Sequence, residues 1–412
     1  MVLAVPAYRI DDKHFAVESA FADHLRLLRS KLGPLGNNIV MAGPTLGEQT
    51  FERTRSLLTV IDEEAEGIRF AGMFPVDIGR VGYMKKLPSV LKSLFNEVQQ
   101  AAVVHSGPSA LYRPFEFPSL LMGSALGKKT ISITDIDNRC SVKMNHKMGR
   151  WSTKEYLITR LLHSPYTHLQ HLVCARTCSL VLLKGVKMAR DYGKGRSNVK
   201  DFLDAAFSAT HIIPPARLEQ KLSQLAIPNT PIDITYFGRL VAYKGIDHML
   251  RALAHAKGLG LRDVRFHVVG GGAAEADLKA LAGELNLNDE VVFHGAIAFG
   301  DELFAQLYDY HLLLAAPLSE DTPRSALDAM ASGQALLAYD SYYYEELATA
   351  GGAVELVPWS DHTAMGQRLF DLCRDRGRLA ALIRKGVNFA HKNTQEVWLD
   401  RRVKWTQDLF AV

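Results

Sequence analysis

The chain has 412 residues, 48% apolar and 22% charged, an ordinary globular composition with material for two cores. Cys140, Cys174, Cys178 and Cys373 are too few for a disulfide framework, and no second pair joins Cys174 and Cys178 in a zinc site, so buried free thiols in a reducing compartment are expected. No apolar run reaches the roughly 18 residues of a membrane span and no secretory leader is visible, so the expected location is the cytoplasm, with or without attachment to the inner face of a membrane.

Charge divides unevenly. Up to Asn229 there are about 30 basic and 20 acidic residues, and beyond it about 18 and 24. The basic excess lies mainly between Ala101 and Lys200, where it suits an anionic membrane surface or a solvated face without a partner. No nucleic-acid partner is expected.

In chain order, Val2–Tyr8 reads as a first strand, Phe21–Leu32 as a helix, Asn38–Gly43 and Ile68–Met73 as strands, and Leu87–Val98 as a helix with Leu87, Leu91, Leu94 and Phe95 on one face. Ala101–Gly107 and Lys129–Ile136 are further strands, with weaker ones at Ser179–Leu183 and His211–Pro214. Strands alternating with helices predict a parallel α/β sheet, whose ligands lie at the carboxyl ends of strands. That picks out His105 and the run Asp135-Ile136-Asp137. The latter also spells a D-x-D, which elsewhere holds a divalent metal and which occurs often by chance. Gly82–Leu87 is basic and apolar together, fit for a lipid surface or for an ordinary exposed helix start.

Pro228 and Pro231 bracket a polar turn that marks the linker. Asp233–Gly238 then reads as a strand, and Gly238, Arg239, Lys244 and Gly245 follow in one loop: glycine lets a ligand approach, and two cations suit a diphosphate. After the strand Val264–Val269 comes Gly270-Gly271-Gly272. It opens like a dinucleotide fingerprint, but Glu275 occupies the third glycine position, which argues against a nicotinamide cofactor. Glu290–His294 is a strand ending at Gly295; Ala335–Tyr339 and Val354–Val357 are later ones, and Trp398–Phe410 is an amphipathic terminal helix.

The chain is organised around Ser319–Gly333, which follows the buried run His311–Ala316. Thr322 has the chemistry of a helix N-cap, Pro323 that of a first helical residue, and Gly333 that of a stop. Glu320 then lies at a helix mouth that attracts anions, and Asp328 lies on the helix. Carboxylates beside an anion-binding helix end suit a ligand with hydroxyls and phosphate, such as a nucleotide sugar.

Glu320, seven residues, then Asp328 followed by Ala329-Met330-Ala331-Ser332-Gly333 resembles the E-x7-E signature of retaining glycosyltransferases of the GT-B fold, the group of sucrose synthase and of bacterial mannosyl- and envelope-polysaccharide transferases. The resemblance extends from about Ile232 to the C-terminus, and Asp328 stands where the family has Glu. It implies an α/β protein of two Rossmann-like, doubly wound parallel-sheet domains facing across a cleft: residues 1–229 for the acceptor, 230–393 for the donor, and 394–412 as a terminal helix returning to the first domain. It also implies Arg239 and Lys244 on the donor's diphosphate, main chain around His294 and Gly295 on the base, Glu320 on the sugar hydroxyls, and Asp328 on the ribose. Gly238, Gly270, Thr322, Pro323, Arg324 and Ser325 complete the implied donor site. Asp135 stands where many members have a histidine near the reacting centre, with His105 as the other candidate there. No Gly-Gly turn follows the first strand; Tyr8–His14 takes its place.

The implied reaction moves a sugar, with retention and without metal or other cofactor, from a UDP- or GDP-sugar to a glycan or lipid-linked acceptor in envelope, exopolysaccharide or lipid-linked glycan synthesis. Two rivals are a nucleotide-sugar epimerase of the same architecture and a non-catalytic nucleotide-sugar-binding scaffold.

Overall fold

The computed structural model describes residues 1–136 and 138–411. Contacts divide the chain into two compact units, Met1–Asp135 with Leu157–Phe202 and Leu399–Val412, and Ile136–Tyr156 with Leu203–Trp398. The main crossing falls at 202/203 rather than at 229/230. Residues 203–229 pack within the second unit: Ile213 N donates to Ala331 O at 2.8 Å. The buried ammonium of Lys221, on the helix Pro215–Leu225, donates to the carbonyls of Tyr310 and Gly333 at 2.7 and 2.8 Å. His211–Pro214, expected as a strand, is instead preceded by a single 3₁₀ turn, Ala209–His211, closed by a Ser208–His211 capping box.

In the first unit, Ile39–Thr45 pairs in parallel with Ile68–Pro75, and Val103–Ser106, Lys129–Thr134, Leu180–Lys184 and Val199–Phe202 form a second parallel run in that order. The expected first strand joins the two. Val2 bridges Ala42, Ala7 bridges Thr45, and Val2 N donates to His105 O at 2.8 Å. It makes isolated bridges rather than a ladder, and Pro6 in its middle has no N–H to give. In the turn after the first strand, Asp11 Oδ1 accepts from the backbone N–H groups of Lys13 and His14, both at 2.8 Å. That aspartate turn starts a small antiparallel sheet of Tyr8–Arg9, His14–Glu18 and Leu58–Asp62, whose Phe15, Val17 and Ile61 are buried. The helix Arg80–Gln100 buries Tyr83, Val90, Leu94 and Val98, and leaves Val81, Met84 and Phe95 exposed.

The second unit is built on six parallel strands in the order Val291–Gly295, Val264–Val269, Ile232–Phe237, Leu312–Ala315, Ala335–Tyr339 and Val354–Val357. All four residues of Leu312–Ala315 and all five of Ala335–Tyr339 are buried, as central strands covered on both faces must be. The order is that of a doubly wound sheet. It reverses between Ile232–Phe237 and Leu312–Ala315, and ligands of such sheets bind outside the carboxyl ends at that reversal.

Candidate functional site

The loops that leave the strands at the reversal are knitted by main chain. Gly238 N donates to Val269 O at 3.0 Å, Gly270 N to Gly295 O at 2.7 Å, and Leu318 N to Tyr243 O at 2.8 Å. Two glycines permit this closeness. A Cβ on Gly270 would lie 1.9 Å from Gly238 O, and one on Gly245, whose φ is +66°, would lie 1.9 Å from Ala316 O. Gly238, Gly270 and Gly295 thus act through backbone, and the Gly295 carbonyl is already occupied.

On this frame Arg239 Nη2 donates to Tyr243 Oη at 2.8 Å, and Lys244 Nζ donates to the Asp321 carboxylate. The Lys244 and Asp321 side chains are only 15% and 17% exposed, so this pair is much drier than an ordinary surface ion pair. Glu320 is buried, and its Oε1 accepts from Tyr343 N at 3.1 Å. Tyr343 Oη donates to Pro323 O at 3.1 Å, and Trp359 Nε1 to Pro317 O at 2.9 Å.

The expected helix start is corrected. Thr322 does not cap and Pro323 is not the first helical residue; the helix runs Ser325–Ala331, with Arg324 as its flanking residue and no side-chain cap. The Lys244–Asp321 pair and the Tyr343–Pro323 bond hold residues 321–323 outside the helix, and the residue before a proline resists helical ψ. Gly333 does end it, at φ +73°. Arg324 reaches Asp204, Nε to Oδ2 3.6 Å.

Asp328 lies within this helix, 4% exposed, and its Oδ1 has no hydrogen-bond partner among the described residues. Burial pushes its carboxyl up to about 8; Arg324 opposes the shift and Asp204 adds to it. A neutral Asp328 offers a hydroxyl donor as well as an acceptor.

The His294 side chain joins a chain of polar groups: its Nε2 lies 3.0 Å from His267 Nδ1, whose Nε2 lies 2.9 Å from Asp233 Oδ1. Burial, then His267, lowers its pKa. His105 and Asp135 belong to the first unit. Burial, with Arg402 and His24 nearby, holds the His105 imidazole well below its ordinary pKa. Asp135 follows the strand Lys129–Thr134 and is exposed. Asp137, the second acid of the D-x-D, lies outside the described residues.

The sequence reading passed over several participants. Asp321 and Tyr243 stood beside chosen residues, and the chemistry of a carboxylate near Lys244 was the available signal. Tyr343 donates through backbone and offered none. Arg150 and Lys147 come from the first half of the chain: Arg150 Cζ lies 5.4 Å from the Tyr243 ring centroid, and Lys147 Nζ lies 5.6 Å from that of Trp359.

Solved structures similar over nearly the whole chain include sucrose-phosphate synthase from Thermosynechococcus elongatus (15% identity, TM-score 0.63, 99% of this chain and 96% of that one). HepE of Anabaena in complex with UDP is another (14%, TM-score 0.61, 95% and 96%). The fold is therefore GT-B. Residues 219–389 match the family described as glycosyl transferases group 1. A curated relative, the 2-deoxystreptamine glucosyltransferase of Streptomyces kanamyceticus, is 28% identical over 187 residues, 44% of this chain and 48% of that protein. The chain thus matches about half the length of that relative.

Proposed function

We propose that this protein is a retaining glycosyltransferase that moves a sugar from a nucleoside-diphosphate sugar, of the UDP or GDP class, to an acceptor hydroxyl. The observation that carries this reading is the placing of Arg239, Lys244 and the buried Glu320 around one strand-order reversal. In this reading Arg239 and Lys244 take the diphosphate, and their charges oppose the negative charge that grows on it as the sugar–phosphate bond breaks. Side-chain cations, rather than a metal ion, do this work. Glu320, fixed by the Tyr343 amide, accepts hydroxyls of the transferred sugar. Asp328 turns toward the ribose, the Gly295 turn carries the base, and Asp135 and His105 are the acceptor-side candidates. Retention is read from the Glu320-x7-Asp328 spacing. The match to the group 1 family and the UDP complex of the HepE neighbour support a nucleotide-sugar donor.

The acceptor side of the proposal is a glycan or lipid-linked hydroxyl met at a membrane surface, as in envelope or exopolysaccharide synthesis. Val81 and Met84 are exposed beside Arg80, Lys85 and Lys86, and Leu161 and Leu162 are exposed beside Arg160. Arg80 Cζ lies 4.3 Å from the Tyr112 ring centroid, and Tyr112 lies 5.1 Å from His163, so the two groups border one another. Apolar side chains ringed by cations suit anionic lipid.

Thermal stabilisation by a panel of nucleoside diphosphates and their sugars tests the donor half. One diphosphate should raise the melting temperature of wild type and not of Lys244→Ala, since ligand that binds only the native state stabilises it. The added effect of the matching sugar should vanish in Glu320→Gln, which keeps an acceptor for the Tyr343 amide. No response to any nucleotide at millimolar concentration would sink the donor assignment.

A further inference from the structure

We infer that Arg150 is a third cation of the diphosphate site, delivered by the segment Asn138–Trp151. The inference rests on the donor reading above and extends it to a residue that neither motif nor spacing marks.

Three cations converge on one ring. Arg239 donates to Tyr243 Oη at 2.8 Å, Lys244 Nζ lies 5.4 Å from the ring centroid, and Arg150 Cζ lies 5.4 Å from the same centroid. One ring's attraction is worth about 1 kcal/mol per exposed cation, which does not by itself explain gathering three like charges. Among the described residues, Lys244 is the cation of the three that pairs with a carboxylate, Asp321, and that pair is mostly dry. Arg239, Lys244 and Asp321 together carry one net positive charge, whereas a nucleoside diphosphate brings two to three negative ones. Arg150 raises the positive surplus to two, at the carboxyl end of the reversal where such an anion would sit.

Arg150 is also held in place. Its Nη1 donates to Asn145 Oδ1 at 2.8 Å and its backbone N to Asn145 O at 3.0 Å. Asn145 is 6% exposed and donates in turn to Ser141 O at 3.0 Å. The segment is anchored through buried Val142 and through Lys147 over Trp359, whose indole N–H holds the Pro317 loop. Arg150 as a whole is exposed. A planar fork steadied through one prong, on an exposed residue, is a form that phosphate recognition uses.

The test is calorimetric titration of the full chain with inorganic pyrophosphate and with UDP, using wild type, Arg150→Gln, Arg150→Lys, Lys244→Ala and uridine as a phosphate-free control. Gln keeps a side-chain N–H donor but is shorter than Arg and carries no charge, whereas Lys keeps the charge and most of the reach. Arg150→Gln should bind pyrophosphate and UDP about tenfold more weakly, equivalent to about 1.4 kcal/mol. Arg150→Lys should recover part of that, and uridine binding should not change. Arg150→Gln within twofold of wild type, while Lys244→Ala loses both anions, would overturn the role of Arg150 and leave the donor reading standing. Lys244→Ala and Arg150→Gln both equal to wild type would overturn the two together.

Discussion

Replacing Asp328 by Asn tests the chemical state of the most deeply buried acid at the site. The folded carboxyl titrates at about 8 against 3.8 in the unfolded chain, because burial removes its solvation. Between those values the folded protein keeps a proton that the unfolded chain has lost. Stability from this group is therefore fully present below about pH 4, falls as pH rises, and levels off above about pH 8. Each unit of pKa difference is worth about 1.4 kcal/mol, so between pH 5 and 8 wild type should lose about 4 kcal/mol relative to Asp328→Asn, which has no charge to bury. In a unit of roughly 200 residues that is on the order of 8–16 °C of melting temperature. Lys221 lies in the same unit with its ammonium lowered to about 7 by burial, and its contribution has the opposite slope. Comparing wild type with the variant cancels it. The assay is thermal and urea unfolding of both proteins from pH 5 to 8. A stability gap that stays constant over this range would show that Asp328 is ionised in the folded state and would refute the reasoning.

Other expectations concern the frame and the cations. Asp321→Asn removes the carboxylate that occupies Lys244, so diphosphate affinity measured by calorimetry should rise several-fold; a fall would make Asp321 a positioner of the ammonium instead. Gly245→Ala forces a methyl against the Ala316 carbonyl at a left-handed φ, and should lower unfolding free energy by about 2 kcal/mol or more and weaken diphosphate binding. Tyr343→Phe loses only the hydroxyl bond to Pro323 and should cost about 1 kcal/mol of stability while leaving the Glu320–amide bond in place, so nucleoside-diphosphate affinity should stay near wild type in the same titration.

The second unit was legible almost strand by strand, for a physical reason. A parallel strand buried on both faces is a continuous apolar run, as Ala335–Tyr339 is, while Val264–Val269 and Val354–Val357, which carry Arg265, His267 and Glu355, are bounded as the sequence reading has them because Gly270 and Pro358 follow them. The first unit was less so. His14–Glu18 and Leu58–Asp62 are short, and the acidic residues at 11–12 and 62–64 make their surroundings resemble loop; their pairing depends on the Asp11 turn and on partners about 45 residues away.

The site divides along the same line. Glycines and cations within one loop announce themselves, because the loop must be permissive and charged wherever it goes. What those cations touch does not. Lys244 is 77 residues from Asp321 and Arg150 is 93 from Tyr243, so whether a lysine is engaged or an arginine is added is decided by tertiary packing. The helix boundary at 325 has the same origin: local propensity favoured a start at Thr322, and two long-range contacts, Lys244 to Asp321 and Tyr343 to Pro323, outweighed a cap worth about 1 kcal/mol. Those contacts keep residues 321–323 as a loop that follows the buried Glu320 and sets Asp321 against Lys244, the place where a ligand carrying both phosphate and hydroxyls would have to be read.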